Sequence, residues 1–269
     1  MSRRAKKNAA RAVLGAVLLA MALFALLPFV YMGLVSLTQK TVLDLRFDPA
    51  EFSFKNYARV FSNFNIGRNL LNSVIVTGGA CVLNCIVCAM AAYGFAKKHF
   101  PGRDQLFMVY LATLMIPGQV TLIPVFTIIK NLGLMNTHIA LMLPILNAFG
   151  VFLVRQFMLG LPNEILEAGQ MDGAGTFRCL WQVVLPVCRP IIGASVALSF
   201  ADCWNLVEQP LIYLTDSSQQ PLSVMFNQIN TDSTGVAFAG AALYLLPMLL
   251  IYIYFQDDIL LGVQLSELK

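Results

Sequence analysis

Six apolar runs, each long enough to cross a lipid bilayer, constrain this 269-residue chain more than any other feature. A membrane's hydrocarbon core calls for about 20 apolar residues in a helix. Only helices and closed barrels satisfy all their backbone polar groups there. The runs extend from about Val13 to Leu37, Leu70 to Phe95, Leu106 to Ile129, Ile139 to Phe157, Ile191 to Leu214 and Val236 to Phe255. Charged residues make up 12% of the chain, against about a quarter in soluble domains. The expected fold class is therefore all-α integral membrane, with six transmembrane helices. Residues 1–269 read as a single transmembrane domain, because the length leaves no room for a large soluble one. The net charge of +4 is modest and no basic patch is interleaved with aromatics, which argues against nucleic-acid binding.

The first run has the basic front of a secretory signal, with Arg3, Arg4, Lys6, Lys7 and Arg11. Its apolar stretch is longer than a signal's core and no small-residue cleavage site follows, so it reads as a retained signal anchor. Cytoplasmic loops are enriched in Lys and Arg. With the N-terminus inside, twelve such residues fall in cytoplasmic segments and six outside. Five of the six outside, Lys40, Arg46, Lys55, Arg59 and Arg68, lie in one long loop, where the rule is weak. Both termini are expected in the cytoplasm, and the 215–235 loop outside.

Six cysteines lie in apolar segments or the loop near 179–188, which disfavours a disulfide framework. Cys81, Cys85 and Cys88 share one helix face and read as small packing residues rather than metal ligands, since close helix approach in lipid favours small side chains. His99 and His138 read as interfacial residues. Asn72, Asn84 and Asn147 read as interhelical hydrogen-bonding residues. No metal site is expected.

Two of the runs are interrupted. The third contains Met115-Ile116-Pro117-Gly118-Gln119 and, further on, Pro124. Proline removes a backbone donor and clashes with the preceding turn, and in lipid the freed carbonyl must find another partner. The fifth carries Asp202, Trp204, Asn205, Glu208, Gln209 and Pro210 inside an otherwise apolar stretch.

The stretch 161–190, LPNEILEAGQMDGAGTFRCLWQVVLPVCRP, carries the most information. Pro162 and Asn163 suit a helix start. Leu161, Ile165 and Ala168 recur at helical spacing, with Glu164 and Glu167 on another face. Gly173 and Gly175 break this helix, and a second short helix runs from Thr176 towards Val184 before Pro186. By periodicity alone this is an amphipathic connector on the cytoplasmic side.

Its residues say more. Glu167-Ala168-Gly169, Asp172-Gly173-Ala174 and Leu185-Pro186 resemble the "EAA" loop of ABC importer permeases, with Gly169 where that pattern usually has a second alanine. Phe54, Asn56 and Tyr57, the pair Asn72-Ser73, the run from Met115 through Leu141, Trp204-Asn205 and Pro210-Leu211-Ile212 resemble the carbohydrate (maltose-type) branch, and in particular its second permease subunit. Leu206-Val207 and the acidic stretch beginning Gln256-Asp257-Asp258 depart from it.

The resemblance implies an EAA-type coupling loop between helices 4 and 5, formed by Glu164, Glu167, Ala168, Gly169, Asp172, Gly173, Ala174, Leu185 and Pro186, that docks on a cytoplasmic ATPase. It implies a multi-pass protein of the bacterial inner (cytoplasmic) membrane. Its partners would be a second permease chain, two ATPase subunits and an extracytoplasmic solute-binding protein. No G-x-x-x-x-G-K-[ST] phosphate loop occurs, so ATP and Mg are expected on the ATPase subunits, with no cofactor and no catalytic site on this chain. The substrate implied is a mono- or oligosaccharide. Gln119, Asp202, Trp204, Asn205 and Glu208 are the translocation-path candidates. Polar groups inside a bundle are costly, carboxylates and amides suit sugar hydroxyls, and an aromatic face suits a pyranose ring. Trp204 also reads as a packing residue. An ABC permease for another solute, such as a polyamine or phosphate ester, and a secondary carrier or channel are the alternatives. The EAA-type loop speaks against the last.

Overall fold

The computed structural model describes residues 3–38, 49–63, 65–146, 148–228 and 234–267. Among these every regular element is helical. The N-terminal part holds α1 (Arg3–Ser36) and α2 (Lys55–Asn63). Then come α3 (Ile66–Lys97), α4 (Arg103–Ala112), α5 (Gly118–Asn131), α6 (Ile139–Met142) and α7 (Ala148–Leu159). Next are α8 (Glu164–Met171), α9 (Thr176–Arg178), a π-helical turn (Cys179–Val184), α10 (Leu185–Val187) and α11 (Arg189–Trp204). Last come α12 (Glu208–Tyr213), α13 (Leu222–Gln228) and α14 (Thr234–Glu267). Asn147, Lys40, Arg46 and Lys269, which entered the expectations above, lie outside the described residues.

Arg11–Ser36 of α1, all of α3 and Thr234–Leu260 of α14 are each long and apolar enough to cross a membrane. Counting each of three bent helix pairs as one span raises the number to six. The third run is one such pair rather than a single helix: Arg103–Met115 and Gly118–Asn131 meet at 106°. The bend sits where the sequence breaks. Ile116, preceding proline, is driven to extended backbone (φ −83°, ψ 118°), and Pro117 cannot donate to the helix behind it. The fifth run also differs. Its helix α11 ends at Trp204, ten residues before Leu214, and an 83° bend joins it to Thr176–Val187 on the other side. Asn205 ends α11 by turning its own side chain back, with Nδ2 donating to the Ala201 carbonyl at 2.8 Å.

Packing falls into two compact units, residues 1–64 with 229–245 and residues 65–228 with 246–269. In the first, Asn56 locks the end of α1. Its Nδ2 donates to the Ser36 carbonyl at 3.0 Å and to the Thr38 carbonyl, satisfying acceptors that the helix end leaves open. The Ser36 and Tyr57 hydroxyls pair at 2.8 Å, and Tyr31 meets Phe238 edge-on.

In the second unit α3 is central and packs against α7 and α11. The contact is rich in small side chains, as close approach requires: Ala80, Cys81, Cys88, Ala89 and Ala92 are buried on α3, Gly150 on α7, Ala194 and Ala197 on α11. A buried polar chain runs through it. Asn84 Nδ2 donates to Ser199 Oγ at 2.7 Å, and Cys88 Sγ donates to Asn84 Oδ1 at 3.3 Å. Asn84 thus makes the interhelical bond its position suggests. Asp258 of α14 lies directly over Gly193, so a side chain there would have to displace the Asp258 carboxylate. A second apolar cluster, Val76, Ile129, Ala140, Leu141, Tyr213 and Leu214, ties α3, α5, α6 and α12 together.

Candidate functional site

The connector at 161–190 is a helix, a left-handed glycine turn and a second, bent helical segment. Glu164 and Glu167 occupy the first turn of α8, where carboxylates favour the helix dipole. The helix ends in a full Schellman closure. Gly173 stands at φ +78°, its N–H donates to the Gln170 carbonyl at 2.9 Å, and the Ala174 N–H donates to the Gly169 carbonyl at 3.0 Å. A side chain at Gly173 would be strained whatever the space around it. The chain restarts at Thr176, and the π-turn from Cys179 brings Leu180 and Val184 inward.

The inward face of α8 differs from the one that spacing suggests. Leu166 is buried, whereas Ile165 and Ala168 are exposed on the same side of burial as Glu164 and Glu167. The reason is the second segment. Gly169 faces Val183 and Cys179, so the face of α8 that carries Leu166 and Gly169 is the one that closes on the π-turn. A Cβ at Gly169 would meet Val183 Cγ2 at 3.4 Å and Cys179 Sγ at 3.5 Å, so an alanine fits there without displacement. Leu161, Leu166, Ala174, Cys179, Leu180, Val184 and Leu185 join Tyr93, Ala96, Phe107 and Met158 in one apolar cluster. Lys97 Nζ donates to the Leu161 carbonyl (2.6 Å) and Asn163 Oδ1 (2.9 Å), and Lys98 Nζ to Thr176 Oγ1 (3.1 Å). The connector is thereby fixed to the end of α3. Its outer surface holds Asp172 and Pro186 and, unusually, large apolar groups: Met171 is 87% exposed, Phe177 64%, with Trp181 and Ile165 also exposed.

The path candidates divide. Asp202, Asn205 and Glu208 are exposed and lie along the chain on either side of the break between α11 and α12. Asp202 stands two residues from the end of α11 rather than in mid-helix. Trp204 turns the other way: it is buried and stacks on Phe200 with ring centres 5.4 Å apart. Gln119 is exposed in the first turn of α5, beyond the Pro117 bend, and no hydrogen bond joins it to the other three. Among the described residues no group of three metal-ligating side chains converges.

One polar assembly escapes sequence reading. The stretch 214–222 is clamped on its backbone by side chains far away in sequence. Asn69 Nδ2 donates to the Gln220 carbonyl at 2.9 Å, and Asn72 Nδ2 to the Ser218 and Gln220 carbonyls at 2.9 and 3.1 Å. Asn72 therefore bonds a loop, not a neighbouring helix. Ser73 Oγ accepts from the Leu222 N–H at 2.8 Å. Asn136, held at φ 58°, accepts on Oδ1 from the Thr215 N–H (2.7 Å) and hydroxyl (2.8 Å). His138 Nε2 pairs with the Gln219 carbonyl at 3.1 Å. Within the loop, hydrogen bonds from Ser218 hold the Asp216 carboxyl below the usual carboxylate range. Asn136 at positive φ is the one such residue with a sequence signal, since Asn tolerates that backbone.

Long apolar helices, broken spans and a helical connector define a multi-pass helical membrane protein. The model of the family described as "Binding-protein-dependent transport system inner membrane component" matches residues 86–257, and the chain belongs to that family. It is 34% identical over 223 residues to the diacetylchitobiose uptake system permease protein NgcG of Streptomyces coelicolor, covering 78% of this chain and 72% of that one. It is 29% identical over 275 residues to the polygalacturonan/rhamnogalacturonan transport system permease protein YtcP of Bacillus subtilis, covering 94% and 95%. Its fold matches a crystal structure of a bacterial ABC transporter involved in the import of the acidic polysaccharide alginate. The TM-score is 0.82 at 23% identity, over 96% of this chain and 98% of that one.

Proposed function

We propose that this chain is the transmembrane permease subunit of an ATP-driven, binding-protein-dependent importer of a mono- or oligosaccharide. It forms half of the translocation path and couples to a separate ATPase through the 161–190 loop. The relatives' names, all for oligo- or polysaccharide uptake among those above, support the substrate class. In this reading residues 1–269 act as one transmembrane domain with six spans, the fifth carried by α11 while Thr176–Val187 stays in the coupling loop, and both termini face the cytoplasm. The partners are a second permease chain, two ATPase subunits that bind ATP and Mg, and an extracytoplasmic solute-binding protein. This chain itself carries no ATPase site and no cofactor. Asp202, Asn205 and Glu208 line the path at the α11–α12 break, with Gln119 contributing from α5. Trp204 supports them from the packed side.

The observation that carries the coupling role is the surface around Gly173. Met171 and Phe177 project apolar side chains from either side of a rigid Schellman turn, at 87% and 64% exposure. Large exposed apolar groups set on a well-tied scaffold mark a docking face. The EAA-type residues Glu164, Glu167, Ala168 and Asp172 lie on the same exposed side of the loop, while Gly169, Ala174 and Leu185 sit partly buried beneath it. Gly173→Asp is expected to abolish co-purification of the ATPase and sugar uptake while membrane insertion stays near normal. Normal uptake together with normal ATPase recovery would refute the assignment.

A further inference from the structure

The helix α2 has three faces of different chemistry. Asn56 and Val60 point inward and are fully buried. Lys55, Arg59 and Ser62 form an exposed polar and cationic stripe. Phe54, just before the helix, Ala58 and Phe61 form an exposed stripe beside it, with Phe54 at 75% and Phe61 at 57% exposure. The level of this helix is set by hydrogen bonds rather than by loops alone. Asn56 donates to the carbonyls of Ser36 and Thr38, Tyr57 pairs with Ser36, and the Ser53 N–H donates to the Leu37 carbonyl at 2.8 Å. These partners are the last residue of α1 and the two that follow it, the place where the apolar run Arg11–Ser36 ends.

We infer that α2 is an interfacial anchor that lies in the headgroup layer of the leaflet where α1 emerges, with Phe54 and Phe61 seated at the acyl boundary and Lys55 and Arg59 on anionic phospholipid headgroups. The arrangement has what an interfacial helix requires: an aromatic stripe beside a cationic one. Within α2 no acid opposes the two cations, and Glu51, the nearest acid in sequence, lies outside the helix. Charge complementarity therefore favours an anionic lipid surface. The position of α2 at the end of a span places its exposed aromatics at lipid level rather than out in solvent. The inference rests on α1 being a membrane span. It does not depend on which side of the membrane α2 faces, nor on the transported solute.

Photocrosslinking separates the occupants. Benzoylphenylalanine is placed at position 54, 61 or, as a control within α1, at position 24, in the full importer complex reconstituted in vesicles of mixed phosphatidylcholine and phosphatidylglycerol. Adducts are identified by mass. The expected result is phospholipid adducts at 54 and 61 as at 24. Phosphatidylglycerol should be enriched over phosphatidylcholine at 61 and lose that enrichment by roughly fivefold for each charge removed in Lys55→Gln and Arg59→Gln. Lipid adducts at 24 with only protein adducts at 54 and 61, to the solute-binding protein or the sister permease, would overturn the inference. So would a lipid preference unchanged by both charge removals. Absence of lipid adducts at 24 as well would remove the span on which the anchor depends and overturn it by that route.

Discussion

Replacing Gly150 by alanine loads the crossing of α3, α7 and α11 at a point of close approach. Built on the α7 backbone, a Cβ there stands 2.7 Å from Cys88 Sγ and 3.1 Å from Ser195 Oγ. Cys88 has no slack, because its Sγ is engaged by Asn84, which is in turn held by Ser199. Overpacking of this kind costs about 1–3 kcal/mol. Alanine's better helix propensity returns about 1 kcal/mol, so the expected net loss is about 1 kcal/mol. Cys88→Ala alone leaves a small cavity and removes the hydrogen bond to the buried Asn84 Oδ1, for a loss of about 2 kcal/mol. Combined, the new methyl enters the space the sulfur vacated. The lost hydrogen bond is not restored, so the double variant is expected about 1 kcal/mol below the parent, against about 3 kcal/mol if the losses added, a coupling of about 2 kcal/mol in the range for residues in contact. The assay is reversible unfolding of the purified chain in mixed micelles, titrated with sodium dodecyl sulfate and followed by helical circular dichroism. Additive losses in the double variant, within about 0.5 kcal/mol, would refute the packing argument.

Asp202→Ala is expected to lower initial uptake with assembly intact, and Asp202→Asn to retain more uptake, since an amide still bonds sugar hydroxyls; loss of assembled complex in both, with normal uptake per remaining complex, would make the residue structural. A cysteine at Ser217, in a background without the native cysteines, is expected to react with a membrane-impermeant reagent from outside the cell; reaction only from the cytoplasmic side would invert the topology.

The three long spans were legible because lipid demands a continuous apolar helix and α1, α3 and α14 answer it without interruption. The third run's break was legible at Pro117, but its 106° angle was not. Proline tells where a ladder fails, while the direction the chain takes next depends on what α5 packs against, here α12 through Phe126 and Tyr213. The fifth run is shorter than its apolar pattern for a related reason. Pro210 and Leu211 continue the apolar pattern, yet Asn205 ends α11 by capping its own helix.

In the connector, the helix at 164–171 and the stop at Gly173 followed from local chemistry, because a Schellman turn needs only a left-handed residue. The buried face did not, since Gly169 leaves no mark in a hydrophobic pattern and α8 turned towards the π-turn beneath it. The clamp on 214–222 is invisible in the sequence because its side-chain partners lie 79 to 151 residues away. Of the path candidates, three stay exposed around one helix break, and periodicity cannot foretell that Trp204 turns inward beside them.

The account stands or falls on energy coupling. The importer should be assembled from this chain, its sister permease and the ATPase pair, reconstituted with the solute-binding protein, and tested across a panel of oligosaccharides for uptake and ATP hydrolysis together. At least one oligosaccharide is expected to be taken up only with ATP and the binding protein present, and to stimulate hydrolysis in step with uptake. Uptake that proceeds without ATP hydrolysis, driven by an ion gradient or by the solute gradient alone, would contradict it.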